Sequence, residues 1–320
     1  MRELGYVHSS SARGLRTQRT WGHLPGPLGT GGRVCLVVGS IGGPTYDEVA
    51  RELHAAADRT GHGVIVLVAD SPARAAHAHA LLRRGIADGA LIWAERFLPA
   101  LDLDSLVRGR QAMTVMDNSV VPRGFDVVRI PARQACGEAL DHMITSGRRR
   151  VAFVGHRTGR EPDGEAHERY VACLDALARH GLARDEALIV ADADDTVAGY
   201  RAVEALLRLP EPPDAVFATS DRAAIIAMWA IRDSGRSVPG DAAVVGVGNL
   251  PEGRVVKPAL STAGQPHLDY SGVVQVLFDR LTADHPPTER ELVLSWSFIP
   301  PRVGMSHETG GRGVTTARSP

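Results

Sequence analysis

Between residue 33 and about residue 304 the chain alternates short β-branched apolar runs with longer stretches of helical periodicity. This alternation constrains the fold more than any other feature. The runs are Val34–Val38, Gly63–Ala69, Gly89–Trp93, Met113–Asp117, Val151–Gly155, Ala187–Val190, Ala215–Thr219 and Ala243–Val247. Near-continuous apolar strands of this kind suit parallel sheets covered on both faces. The intervening stretches read as amphipathic helices. In Tyr46–Thr60, Val49, Leu53, Ala56 and Ala57 recur on one face while Asp47, Arg51, Glu52 and Arg59 take the other, and Gly61 and Gly63 stop the helix. Repeated strand–helix–strand units predict an α/β protein with doubly wound parallel sheets.

The rhythm breaks once. After Asp117 it passes through Pro122, Gly124 and Pro131, then restarts with a helix over Arg133–Thr145 and the strand Val151–Gly155. The break predicts two lobes with a cleft between them. The first takes about 33–148 plus 266–284, and the second about 149–262 plus 286–304. Ligands of such sheets bind outside the carboxyl ends of strands, which directs attention to the loops beginning at Gly39, Ala94, Asp117, His156, Ser220 and Gly248. Residues 21–32 read as a Gly/Pro linker, and 305–320 as a disordered polar tail.

Composition excludes several function classes. The hydrophobic fraction of 44% supports a substantial core, and no apolar run approaches the roughly 20 residues of a membrane helix. The formal net charge of -1 shows no global basic excess. Lys257 is the only lysine, a bias toward arginine that fits G+C-rich coding. Cys35, Cys136 and Cys173 are too few and too widely spaced for a disulfide framework or a zinc site, and residues 1–6 lack the apolar core of a signal peptide. These features predict a cytoplasmic protein.

Catalytic and cofactor motifs are absent. There is no P-loop, H-E-x-x-H, G-x-S-x-G or post-strand G-x-G-x-x-G pattern. Gly29–Gly32 precedes the first strand instead of following it. His77 and His79 are two apart on a helical stretch, so they do not share a metal-binding face. The sequence therefore predicts a protein that is not an enzyme and carries no metal or cofactor.

Four stretches in order resemble one family. Glu3-Leu4-Gly5-Tyr6-Val7 with Ser11-Ala12-Arg13-Gly14-Leu15-Arg16-Thr17 is similar to the end of a DNA-binding headpiece and its hinge helix. Ser146 to Gly155 looks like a strand entry into a second lobe. Ala215 to Asp221, followed by Gly235, Val238 to Asp241 and Val244-Val245-Gly246, looks like that lobe's core. Pro258 to Pro266 resembles the crossover back to the first lobe. Together they resemble the lactose/galactose-repressor (LacI/GalR) family of transcriptional regulators over roughly residues 2–302. The resemblance implies two lobes of the type I periplasmic-binding-protein kind, a homodimer, operator DNA as partner and a sugar or related small molecule as effector.

By the same resemblance residues 1–20 are the remnant of the headpiece and hinge, with Ser11, Ala12, Arg13, Leu15 and Arg16 as DNA contacts and Leu15 as the apolar wedge. Arg2, Arg13, Arg16 and Arg19 against Glu3 make this leader locally basic, which suits phosphate contact. Gly14 costs about 1 kcal/mol relative to Ala in a helix, so the hinge is expected to be helical only when docked. A helix-turn-helix needs roughly 25–30 residues ahead of this point. The chain as written is therefore expected to be truncated and to bind operator weakly or not at all.

For the effector pocket the resemblance implies Tyr46, Trp93, Asp117, Asn118, Arg169, Ser220, Asp221, Asn249 and Gln265. Several also have a structural explanation. Asp117-Asn118 can form a turn, Asp221 can cap a helix, Arg169 can be a solvated cation, and Trp93 can be core. A stand-alone cytosolic sugar-binding protein without DNA binding is the alternative.

Overall fold

A computed structural model describes residues 32–41, 43–155, 165–191, 196–283 and 288–301. The leader with its hinge residues Ser11, Ala12, Arg13, Leu15 and Arg16, the loop at His156 and the tail lie outside the described residues. In chain order the first part runs β1 (Arg33–Val38), α1 (Pro44–Thr60), β2 (Gly63–Val68), α2 (Pro72–Arg83), β3 (Gly89–Trp93), α3 (Leu103–Arg108), β4 (Ala112–Met116) and β5 (Asp126–Arg129). It continues with α4 (Ala132–Thr145), β6 (Val151–Gly155), α5 (Glu165–Arg179), β7 (Ile189–Ala191), α6 (Thr196–Leu207), β8 (Ala215–Ala218), α7 (Asp221–Asp233) and β9 (Ala243–Val247). The last elements are α8 (Pro251–Val255), β10 (Ser261–Gly264), α9 (Ser271–Thr282), β11 (Glu291–Val293) and β12 (Ser297–Ile299).

These strands form two six-stranded sheets, ordered β11-β5-β4-β3-β1-β2 and β12-β10-β9-β8-β6-β7. All pairings are parallel except β10 with β12. The strands are apolar because each sheet is covered on both faces. In β1, Leu36 and Val38 face a core shared with α1 and α9, while Cys35 and Val37 face the core of α2. In β6, Ala152 and Val154 pack toward α6 and α7, whereas Val151 and Phe153 pack toward α4 and α5. This alternation is the period-2 signature of an extended chain.

Some elements fall differently from the sequence expectation. Strands β5, β10, β11 and β12 are short and were not distinguishable as apolar runs. Asp126 opens β5 fully buried, held by Arg280 and Arg290. The stretch read as a strand over 187–190 begins as a 3-10 turn, Glu186–Leu188, whose Ala187 N–H donates to Asp185 Oδ1. Helix α4, placed by its sequence with the first lobe, buries Cys136, Ala139, Leu140 and Met143 against β6 and β8 of the second sheet. Conversely, β11 lies in the range expected for the second lobe, yet it pairs with β5 in the first sheet.

The chain therefore passes between the sheets three times, at Ile130–Pro131, at Gln265–Tyr270 and at Leu294–Trp296. In each sheet the strand order reverses beside an early strand, between β1 and β3 and between β6 and β8. Those reversals are the crevices where α/β sheets hold ligands.

Candidate functional site

The first reversal is built from aromatic side chains. Trp93 ends β3 and is 4% exposed. Tyr46, in the first turn of α1, meets its ring edge-on with centroids 4.8 Å apart, and Tyr270 lies at 6.4 Å. Gly43, the residue before α1, leaves room that a Cβ would take from the Tyr46 ring. Trp93 Nε1 is buried, and no described atom accepts its hydrogen.

Gln265, 5% exposed at the second crossover, joins this group. Its Nε2 donates a long bond, 3.5 Å, to the carbonyl of Asp269, next to Tyr270. Its buried Oε1 accepts no hydrogen bond. Trp93 thus buries a donor, and Gln265 an acceptor, without a partner among the described residues. Such atoms each cost about 1–3 kcal/mol when left unmade.

The second lobe supplies a hydrogen-bond relay. Ser220 is the N-cap of α7, its Oγ accepting from Ala223 N–H at 3.1 Å. The capping expected of Asp221 therefore falls to its neighbour. Asp221 is fully buried; its Oδ2 accepts from Leu250 N–H and its Oδ1 from the Thr262 hydroxyl, both at 2.6 Å. Burial pushes its carboxyl up to about 6, opposed by those two bonds and the Arg169 charge. Both oxygens already have partners inside the lobe.

From Thr262 the relay continues. Asn249 N–H donates to Thr262 Oγ1 at 3.2 Å, and Asn249 Nδ2 donates to the Gln265 carbonyl at 2.6 Å and the Pro266 carbonyl at 3.2 Å. Asn249 sits at φ 56, a left-handed conformation that asparagine tolerates better than most residues. Arg169 on α5 donates from Nη1 to the Thr219 carbonyl at 2.8 Å, just past the end of β8. It is half-buried at the second reversal rather than a solvated cation.

Asp117 and Asn118 follow β4. Asp117 Oδ1 accepts from Ser119 N–H, Ser119 Oγ and Val120 N–H, the local turn its sequence allows. Asn118 is occupied by the first crossover. Its Oδ1 accepts from Ile130 N–H at 2.8 Å and its Nδ2 donates to the Ile130 carbonyl at 2.7 Å.

The structure thus joins Tyr46, Trp93 and Gln265 through Tyr270 and Asp269. It joins Arg169, Asp221, Asn249 and Gln265 through Thr219 and Thr262. Asp117 and Asn118 sit on the first-lobe loop. Thr262, Tyr270 and Trp296 are additions that the sequence did not single out. Trp296 packs against cores of both lobes, and its indole N–H is buried with no acceptor among the described residues. A tryptophan between the last two short strands, one of four in the chain, is the signal that could have found it. Among the described residues no His/Cys/Asp/Glu group could hold a metal ion, and no helix is long and apolar enough to cross a membrane.

A family model, the periplasmic binding protein-like domain, matches residues 140–300. The repressor CytR of Escherichia coli strain K12 is 26% identical over 283 residues, covering 84% of this chain and 80% of the relative. The regulator GalR of the same strain is 27% identical over 274 residues, with coverage of 83% and 74%. The chain belongs to the LacI/GalR family. A solved structure described as the transcriptional regulator CelR–cellobiose complex is 25% identical, with a TM-score of 0.70 over 85% of this chain and 84% of that one. The LacI/GalR fold explains why these groups are scattered in the sequence: Trp93, Asp117, Ser220 and Asn249 lie at or just past strand ends, Gln265 lies on a crossover, and Tyr46 and Arg169 come from helices.

Proposed function

We propose that this chain is a ligand-responsive transcriptional regulator that binds a small hydroxylated molecule, a sugar or sugar derivative, between its lobes. The observation that carries the reading is the pair of buried, unmatched polar atoms, Trp93 Nε1 and Gln265 Oε1, at the first reversal and the second crossover. A hydroxyl both donates and accepts, so a polyol supplies what each atom lacks. Trp93 and Tyr46 offer ring faces and edges to a pyranose or furanose, Arg169 supplies charged donors, and Asp117 and Ser220 supply oxygen atoms at the two strand ends. Asp221, Asn118 and Asn249 hold those groups in place through the lobe and crossover contacts.

The relatives support the regulatory half of the reading by their names: two transcriptional regulators of Escherichia coli, a cellobiose complex, and a ribose operon repressor that is 26% identical over 85% of this chain. Operator DNA, the effector and a second copy of the chain are its partners, the site of action is the cytoplasm, and binding involves no catalysis. Thermal denaturation in the presence of ribose, cellobiose, sucrose and nucleosides tests it. At least one is expected to raise Tm, and Arg169→Ala or Asp117→Ala is expected to abolish that rise. A rise of equal size in both variants would place the ligand elsewhere.

A further inference from the structure

The edge of the first lobe opposite the cleft carries a row of arginines without acidic partners. In a parallel α/β sheet the helices run back against the strands, so helix C-termini and strand starts share one edge. Register aligns the starts: Arg33 pairs with Gly63, Val34 with Gly89, and Gly89 with Ala112. The loops entering β3, β4 and β5 carry Arg84, Arg108, Arg110 and Arg123, all exposed.

Contacts make these loops one surface. Arg83 Nη1 donates to the Ser105 carbonyl and hydroxyl, Gln111 Nε2 donates to the Ala87 carbonyl, and a Cβ on Gly124 would run into Val107. None of the four arginines forms an ion pair with a described residue. Asp88 and Glu289, on the loops entering β3 and β11, each accept a backbone N–H, from Arg33 and Gly124.

The second lobe provides an internal comparison. At its corresponding edge Arg150 pairs with Asp185 and Glu211, Arg179 with Asp141, Arg184 with Glu186 and Arg208 with Glu204, while Arg149 and Arg232 are exposed without an ion pair to a described residue. Helix dipoles favour a cation in a last turn, which accounts for Arg108 at the end of α3. They do not account for Arg110 and Arg123, which lie outside any helix, or for the missing acids. Arg110 moreover sits at φ 58, where most side chains are disfavoured.

We infer that this basic edge of the first lobe is a docking surface for the phosphate backbone of duplex DNA. The inference rests on the regulator reading. Charge decides the class of partner, and so does position. The described chain begins at this edge, with Gly32 leading into Arg33, and the leader that precedes it carries four arginines against one glutamate. The starts of β3, β4 and β5, which carry the row, span about 10 Å. At one duplex charge per ~1.7 Å of helix axis they face about six phosphate charges.

The test is fluorescence anisotropy of a labelled 30-base-pair duplex of arbitrary sequence with the full chain, from 50 to 200 mM salt. Arg84→Glu/Arg110→Glu/Arg123→Glu is expected to weaken binding at least about tenfold and to lower the salt slope by about 3. The matching second-lobe triple, Arg179→Glu/Arg184→Glu/Arg208→Glu, is expected to change affinity less than about threefold. Melting curves establish that each variant is folded, and Arg84→Gln/Arg110→Gln/Arg123→Gln is expected to show a smaller loss in the same direction.

Equal losses in the two reversal triples would overturn the assignment, as would unchanged binding in the first-lobe triple. Loss confined to Arg13→Ala/Arg16→Ala would overturn it while leaving the regulator reading standing. Association with anionic phospholipid vesicles but not with duplex would overturn it too. Failure of every ligand to raise Tm would count against the cleft instead, without altering the contrast between the triples.

Discussion

At the scale of single residues, the informative group is Asp221. Its sequence position before a helix suggests a cap or a ligand contact, but Ser220 takes the cap and the Asp221 carboxylate is turned inward to Leu250 and Thr262. A buried carboxyl held at about 6 binds protons more tightly in the folded chain than in the unfolded one. Its contribution is therefore fully present below the unfolded value near 4 and is lost as pH rises through about 6. Asp221→Asn removes that dependence. The stability of the unmodified chain relative to the variant is expected to fall by up to about 3 kcal/mol between pH 4 and 7.5. Denaturant unfolding of both proteins across that range is the measurement; parallel stability profiles would contradict it. Asp126 has the opposite sign. Burial alone would raise its carboxyl, but hydrogen bonds and charge from Arg280 and Arg290 hold it below the ordinary value. Taking the difference between two proteins that share Asp126 removes its effect. No sequence pattern separates these two aspartates, because their roles come from partners far away in the chain.

Among elements, the sequence is most legible where burial is two-sided. The long strands β1, β3, β6 and β9 and the helices α1 and α4 are readable because their apolar spacing repeats over enough residues. Strands β5, β10, β11 and β12 are three or four residues long, and unlike the equally short β7 and β8 they do not lie in continuous apolar runs. The end of β6 shows how closely elements meet at a reversal. Gly155 has φ 140, and a Cβ there would collide with the Thr219 side chain at the end of β8. Gly155→Ala is expected to destabilise the chain by about 3 kcal/mol through backbone strain and overpacking. Gly147→Ala should cost only about 1 kcal/mol, since φ is 100 but no atom lies within 4 Å of the added carbon. Urea midpoints of the two variants check the order, and equal shifts would contradict the packing argument.

For the whole molecule, the crossovers determine how the lobes work together. Asn118 fastens the first crossover to the first lobe through Ile130, while Asn249 fastens the second to the second lobe through Gln265 and Pro266. The two-lobed architecture was visible in the broken strand–helix rhythm. The lobe boundary was not, because α4 has an apolar face that suits either sheet and only contacts with β6 and β8 assign it. The proposed pocket set comes from family resemblance. Which of its members are available to a ligand depends on hydrogen bonds that no sequence displays. Gln265 tests the central claim most directly. Gln265→Leu deletes an acceptor that is buried without a donor among the described residues, at the loss of one long bond to the Asp269 carbonyl, so the unliganded variant is expected to be about as stable as the unmodified chain. Calorimetric titration with the stabilising sugar or nucleoside should give one ligand per unmodified chain and at least tenfold weaker binding to Gln265→Leu. Equal affinity for both proteins would contradict a ligand site at this crossover.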